Sequence, residues 1–208
     1  MKKTLTVTLF FVMISFCYSQ HFEGIVEYEM HYIPTSDRYT TELMEEAFGK
    51  RTKTFFKDGF YKELTDSKFM SYQLFRYDKN KIYYKHTTND DTLRYISTIS
   101  TNKSNFKYDL YTKSDTVLTI VCDKLVVRDD YGTKTYYYSS DYSLNPDFYT
   151  NFTISNKYEI VKLMKSIYLK LEMEYQDFVV EITAKEITRK KLKKRVFKLT
   201  KHTTLLEE

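Results

Sequence analysis

The chain has 208 residues and a formal net charge of +5 at pH 7. It contains only 4 Gly, so the clustered glycines of a phosphate-binding loop are excluded. A mild positive charge implies no particular partner, and we expect no nucleic-acid binding. The 21 Tyr and 15 Phe favour β-structure, because aromatic side chains suit a pleated, half-buried surface.

The amino-terminal segment has the pattern of a secretory signal peptide. Two basic residues, Lys2 and Lys3, precede the apolar stretch Leu5–Phe16, and Cys17–Ser19 offers small residues for cleavage. The apolar stretch is shorter than the about 20 residues that a membrane-spanning helix needs. We therefore predict a signal peptide over residues 1–19, export to the periplasm or the medium, and no membrane span.

Residues 20–208 have a length that suits a single β-rich domain. After cleavage only Cys122 remains, so an internal disulfide is excluded. Cys122 lies in an apolar stretch, and we expect a buried, inert thiol.

The first elements are a strand and a helix. Phe22–Ile33 alternates apolar and polar residues, which is typical of a strand with one buried face, and Pro34 ends it. From Ser36 to Phe48 the apolar residues recur at helical spacing, and Gly49 follows as a stop. We predict one amphipathic helix here, whose apolar stripe packs on the sheet: Tyr39, Leu43, Met44 and Phe48.

The middle of the chain reads as successive hairpins. Asp58-Gly59 between two β-rich stretches is the strongest short hairpin signal in the chain. The predicted strands are Thr52–Lys57, Phe60–Thr65, Lys68–Tyr77, Lys81–His86, Thr92–Ile99 and Phe106–Thr112. A longer hairpin follows over Val117–Ser140, with its first strand running from Val117 to Val127 and its loop around Gly132.

The last third contains a loop and two long strands. Asp141–Asn156 is predicted to be an irregular loop with a helical turn from Pro146, and Lys157–Lys165 receives no assignment. Strands are predicted over Ser166–Tyr175 and Phe178–Thr188. A basic turn at Arg189–Arg195, a short strand Val196–Leu199 and a frayed tail to Glu208 complete the chain.

These elements predict a mainly β protein. About a dozen strands in hairpin order form an antiparallel sheet that curls, because large sheets do not stay flat. We expect a curled sheet or half-barrel with the one N-terminal helix packed on its concave face. A two-sheet sandwich is the alternative architecture.

Five short features occur in order in the second half of the chain: a Cys-containing strand, a Gly hairpin, a Tyr-Tyr-Ser strand, an Asn-Pro loop and a Phe-x-Leu ending. Their residues are Ile120–Cys122, Gly132, Tyr137–Ser139, Asn145-Pro146 and Phe197–Leu199. In these features the chain resembles a family of secreted proteins of unknown function from Bacteroidota. A GLPGLI-related sister group carries a Gly-Leu-Pro-Gly-Leu-Ile motif that this chain lacks. Such families resemble the LolA-like lipoprotein-carrier half-barrel, which implies a role in binding lipid or another apolar ligand.

The sequence offers no recognisable catalytic or metal-binding motif. His21, His31, His86 and His202 are far apart and lack zinc-type spacing. Two acidic pairs, Glu27/Glu29 and Glu172/Glu174, each share a strand face, but alternation predicts that these faces are solvated. We predict no catalytic residue, no metal site and no cofactor, and the sequence identifies no ligand-binding residue.

The sequence is compatible with three functions. The first is a non-enzymatic binding module that holds an apolar small molecule or lipid on the concave face. The alternative is a structural or protein-interaction component of the cell envelope, acting through Asp141–Asn156 and the edge strands. An enzyme with scattered catalytic groups is the third. The basic run Arg189–Arg195 is either a solvated turn or a contact for an anionic envelope surface.

Overall fold

The computed structural model describes residues 21–87, 91–101, 105–130, 132–202 and 204–208. The predicted signal peptide, residues 1–19, lies outside them. The described residues form one twelve-stranded sheet and two α-helices. The strands are β1 (Gly24–Pro34), β2 (Arg51–Lys57), β3 (Phe60–Thr65), β4 (Met70–Arg76), β5 (Lys81–His86), β6 (Thr92–Ser97), β7 (Lys107–Val117), β8 (Ile120–Asp129), β9 (Gly132–Ser143), β10 (Ser166–Glu174), β11 (Phe178–Arg189) and β12 (Thr204–Glu207), and the helices are α1 (Thr41–Phe48) and α2 (Lys157–Met164).

The strand order is β12-β6-β5-β4-β3-β2-β1-β11-β10-β9-β8-β7. Neighbouring strands pair antiparallel, except for the parallel pair β12 and β6. The first half of the chain is a meander from β1 to β6, and β1 joins it to the second half by pairing with β11. The result is a curled, open half-barrel sheet, and the two-sheet alternative is not adopted.

One face of the sheet, here called the inner face, carries the predicted alternation of β1. Val26, Tyr28, Met30 and Tyr32 are buried on it, whereas Glu27, Glu29 and His31 point to the opposite, outer face. The antiparallel register continues this face across the neighbouring strands. The alternation of β1 in the sequence was therefore a correct guide to which of its side chains form the core.

Helix α2, which the sequence analysis left unassigned, packs on the inner face. Its buried residues Ile160 and Met164 contact Leu125, Tyr136 and Leu171. Val161 lies with Phe75, Ile82, Tyr149 and Phe152. The segment before α2 forms the predicted turn at Pro146–Tyr149, and its aromatic side chains fill the space beside the helix.

Helix α1 is shorter than predicted and buries fewer residues. It begins at Thr41, because the side chain of Thr40 caps it by accepting a hydrogen bond from the backbone N–H of Leu43 at 3.2 Å. Met44 packs against Met30, Tyr32 and Val180. Leu43 and Phe48 are 51% and 48% exposed, so the expected stripe of four residues was wrong for these two.

The carboxy-terminal segment corrects two predictions. Residues 190–199, here called the strap, cross the outer face and bury Leu192 and Phe197 against Ile25, Leu74 and Tyr83. The predicted strand Val196–Leu199 is instead a 3-10 turn over Lys194–Phe197 followed by extended chain. The tail is not frayed throughout, since Thr204–Glu207 forms β12 beside β6.

The predicted strand Val117–Val127 starts too early, because Val117 is the last residue of β7 and β8 begins at Ile120. Leu118 and Thr119 have φ angles of +49° and +65° and form a two-residue turn between β7 and β8. Cys122 follows in β8 and is fully buried, as predicted, and burial raises the pKa of its thiol.

Candidate functional site

A cavity of about 420 Å³ lies between α1 and the inner face of the sheet. Its walls come from α1, from the inner faces of β1, β2, β3, β10 and β11, and from the connection between β3 and β4. Most of the side chains that line it are apolar: Met30, Tyr32, Met44, Phe48, Phe69, Met70, Met173, Tyr175, Phe178, Val180 and Ile182.

The sheet register explains why these side chains meet. Met30 is opposite Ile182 and Tyr32 is opposite Val180 in the β1–β11 pairing. Across the next pair of strands, Met173 is opposite Val180. Facing residues of antiparallel neighbours point to the same side, so one row of apolar side chains forms the cavity wall.

Aromatic side chains mark the mouth of the cavity. The rings of Phe48 and Phe69 lie 5.9 Å apart, and these residues are 48% and 58% exposed. On the other side the ring of Tyr175 lies 5.0 Å from that of Phe178. Exposed aromatic residues clustered at an opening are typical of a surface that binds an apolar ligand or partner.

Glu63 is the one acidic or basic side chain among the described residues that line the cavity. It lies on the inner face of β3, directly opposite Thr54 of β2 and Gln73 of β4. Burial raises the pKa of Glu63, and the positive charge of Lys157 opposes that rise. Burial also lowers the pKa of Lys157, with Glu63 opposing the change.

Beyond Glu63 the inner face is filled rather than hollow. The Tyr28 and Tyr168 rings lie 5.0 Å apart, and the Tyr28 hydroxyl donates to the Tyr168 carbonyl at 2.9 Å. The Gln73 side chain donates to the Tyr61 hydroxyl at 3.2 Å. A space of about 30 Å³ lined partly by Lys157 remains here, enough for about one water molecule. The inner face is thus filled by side chains under α2 and leaves a cavity beside α1.

The acidic pairs found in the sequence lie on the outer face. Glu27 forms an ion pair with Lys53 at 2.5 Å, and Glu29 forms one with Lys185 at 2.7 Å. Glu172 forms an ion pair with Lys170 at 2.6 Å. These carboxylates are held by cations rather than aimed into the cavity.

Glu63 was not among the residues predicted to have a functional role. The available signal was the alternation within Phe60–Thr65, which places Tyr61, Glu63 and Thr65 on one face. The register shows that this is the inner face, because Tyr61 is opposite the buried Phe56.

Among the described residues, no group of three or more His, Cys, Asp or Glu side chains is placed to hold a metal ion. Neither described helix has the length and apolar character needed to cross a membrane.

No protein-family model matches the chain. The search of curated proteins gave no match.

Solved structures do resemble it. An uncharacterized conserved protein from Thermus thermophilus superposes with a TM-score of 0.52 at 7% identity, covering 89% of this chain and 91% of that one. PNGF-II gives 0.49 at 12% identity, over 89% of this chain and 31% of that one. The LolA superfamily protein NE2245 from Nitrosomonas europaea gives 0.42 at 11% identity, over 86% and 91%. At these identities the likeness concerns the fold alone.

Proposed function

We propose that the protein is a non-enzymatic binding module that holds an apolar ligand, a lipid or an acyl chain, in the cavity beside α1. The observation that carries this proposal is the cavity of about 420 Å³ with its apolar walls and exposed aromatic mouth. Its size falls within the range of about 300–1,000 Å³ of small-molecule sites, which are mostly apolar with a few polar groups.

The proposed site uses the sheet as one wall and the short helix α1 as the other. Met44 is the one residue of α1 that is fully buried. A ligand that enters between Phe48 and Phe69 would exchange their exposed rings for contact with its chain, and removal of this apolar surface from water drives binding.

The test is titration of the purified protein with N-phenyl-1-naphthylamine, a neutral dye that fluoresces in apolar surroundings. We expect saturable binding to the unaltered protein. Val180→Trp adds an indole ring to the cavity wall and should abolish that binding. Val179→Trp, one residue earlier and on the outer face, is the matched control and should leave it unchanged.

Circular dichroism of both variants checks that they fold. Dye that binds both variants equally, or fails to bind the unaltered protein at all, contradicts the proposed function. If Val180→Trp does not fold, Met173→Trp fills the same cavity from β10 and replaces it.

The setting we propose is the periplasm or the outside of the cell, reached through the predicted signal peptide at residues 1–19. Membership of the GLPGLI-related secreted family and a lipid-carrier role are part of the same proposal. Fractionation of cells that express the full chain, with and without residues 1–19, tests the location.

A second candidate is an interaction component of the envelope. Every residue of β7 before Val117 is exposed, and β7 is an edge strand whose exposed large side chains include Tyr108, Leu110 and Tyr111. Unpaired edge strands are sites where another chain can add a strand. Cross-linking in cells from a reactive group at Leu110 tests this candidate, and recovery of no partner protein would count against it.

The strap supports an anionic surface as a partner. Its buried Leu192 and Phe197 fix it to the sheet, while six basic side chains stay exposed: Lys190, Lys191, Lys193, Lys194, Arg195 and Lys198. Each basic residue near an anionic membrane contributes about 1 kcal/mol to binding. Co-sedimentation with phosphatidylglycerol vesicles should fall with added salt and with Lys193→Gln, Lys194→Gln and Arg195→Gln combined. Equal binding to phosphatidylcholine vesicles would exclude this role.

A further inference from the structure

Among the described residues that line the cavity, one is acidic and none is basic. Among the described residues that line it, Glu63 supplies a carboxyl group, while Thr52, Thr65 and Ser67 supply hydroxyl groups. No hydrogen bond or ion pair from Glu63 to another described side chain is formed in this structure. Its carboxylate oxygens are therefore free to accept hydrogen bonds from a ligand.

Two tyrosine hydroxyls at the cavity are bonded only weakly. The Tyr32 hydroxyl donates to the sulfur of Met30 at 3.7 Å, and the Tyr175 hydroxyl donates to the sulfur of Met173 at 3.6 Å. A thioether sulfur is a poor acceptor, so either hydroxyl can exchange it for a ligand atom at little cost. Together with Glu63 they place polar groups at several points of an otherwise apolar cavity.

We propose that the ligand of this cavity is an amphiphile whose polar head donates hydrogen bonds to Glu63 and carries no negative charge. This inference rests on the proposed function and adds the class of head group. An ammonium or hydroxyl head can donate to the Glu63 carboxylate, and a charge-assisted bond in a poorly solvated site is the stronger of the two. A carboxylate head would face a like charge there, which is unfavourable.

The groups near Glu63 favour the same ranking of head groups. Tyr61 on the same strand, Tyr28 on β1 and Tyr168 on β10 interact with it electrostatically. Lys157 of α2 is a cation that interacts with Glu63 but forms no direct ion pair with it. Lys157 lines the small space under α2 and not the cavity itself. A head group inside the cavity therefore meets the carboxyl group first.

Displacement of bound N-phenyl-1-naphthylamine at pH 7 tests the proposal. The competitors are dodecylamine, 1-dodecanol and dodecanoate, which share one chain length and are used below the concentrations at which they form micelles. We expect dodecylamine to displace the dye at a concentration about tenfold lower than dodecanoate, equivalent to about 1.4 kcal/mol. The concentration of 1-dodecanol that displaces the dye should lie between those of the other two competitors.

Glu63→Gln removes the charge and keeps the shape, and it should bring the amine and the carboxylate to within about threefold of each other. Glu46→Gln, on the exposed surface of α1 and outside the cavity, removes the same charge and should preserve the full preference. The ranking on the unaltered protein stands as a test even if Glu63→Gln does not fold.

Three results would overturn the proposal. Dodecanoate could displace the dye as well as dodecylamine does, Glu63→Gln could leave the ratio unchanged, or Glu46→Gln could reduce it equally. In each of these cases the dye still binds, so the proposed function survives. A protein that binds neither dye nor competitor refutes both.

Discussion

Lys157, the first residue of α2, and Glu63, on the inner face of β3, are both partly buried and influence each other's ionisation. Burial raises the pKa of Glu63 and lowers the pKa of Lys157, and their opposite charges counter both changes. The desolvation of two ionisable groups is costly, and their attraction recovers part of that cost. The pair therefore links the stability of the sheet and of α2 to pH.

The first prediction concerns the pH dependence of stability. The folded-state pKa of Glu63 lies above its ordinary value of 4.5, so the folded protein binds the proton more tightly than the unfolded chain. Its contribution to stability is thus full below pH 4.5 and is lost as the pH rises through the raised pKa. We expect Glu63→Gln to be more stable than the unaltered protein at pH 7, and the difference to shrink towards pH 4.

Urea unfolding at several pH values between 4 and 7 measures this effect. Glu46→Gln is a control that should change the free energy of unfolding in the opposite direction at pH 7. The hydrogen bond from Lys68 lowers the pKa of Glu46, so the charged carboxylate stabilises the folded protein. The stabilisation from Glu46 is present above its ordinary pKa and is lost as the pH falls. A Glu63→Gln variant that is less stable than the unaltered protein at pH 7 contradicts the assigned environment of Glu63.

The second prediction separates the two faces of α1. Met44→Ala should destabilise the protein by about 2–5 kcal/mol, because Met44 is buried against Met30, Tyr32 and Val180. Leu43→Ala, one residue earlier and half exposed, should change the free energy of unfolding by about 0.5 kcal/mol or less. Urea denaturation of both variants gives the comparison. Equal losses would mean that α1 packs with the four-residue stripe that the sequence predicts.

The third prediction tests the strap. Phe197→Ala should cost about 3–5 kcal/mol, because the ring is buried on the outer face, 5.7 Å from the ring of Phe60. Lys194→Ala, at an exposed position of the same turn, should stay within about 0.5 kcal/mol of the unaltered protein. Thermal unfolding at fixed pH distinguishes them. A small loss for Phe197→Ala would show that the segment is detached in solution.

The behaviour of these elements shows which features local sequence can reveal. The alternation in β1, β10 and β11 predicted these strands because each buries one face, and the Asp58-Gly59 signal placed the first tight hairpin correctly. The strap and α2 were missed for the same reason. Leu192, Phe197 and Ile160 have apolar partners that are distant in sequence, and only the assembled sheet brings those partners together.

The cavity could be predicted only in outline. A concave apolar face followed from the curl of a large sheet, but its open end depends on how far α1 and α2 each cover that face. Glu63 looked like an ordinary polar residue of a two-sided strand. Its importance comes from the register that places it opposite the buried Thr54.

The last prediction concerns the turn between β7 and β8. Leu118 and Thr119 occupy the left-handed region, with φ angles of +49° and +65°, where non-glycine residues and above all β-branched ones are unfavourable. Asn-Gly is the preferred pair for such a two-residue turn, and both side chains are exposed. The double variant Leu118→Asn, Thr119→Gly should therefore be more stable by about 1 kcal/mol, the lower end of the cost of such backbone conformations.

Urea unfolding measures the increase in stability of the double variant. Gly59→Ala is a comparison in which a loss of stability is expected. Gly59 has a φ angle of +80°, and an added methyl group would collide with the side chain of Phe148, so this change should destabilise the protein. If the double variant is less stable than the unaltered chain while Gly59→Ala behaves as expected, the contacts of Leu118 outweigh the backbone preference. The hairpin would then be held by its side chains rather than by its turn.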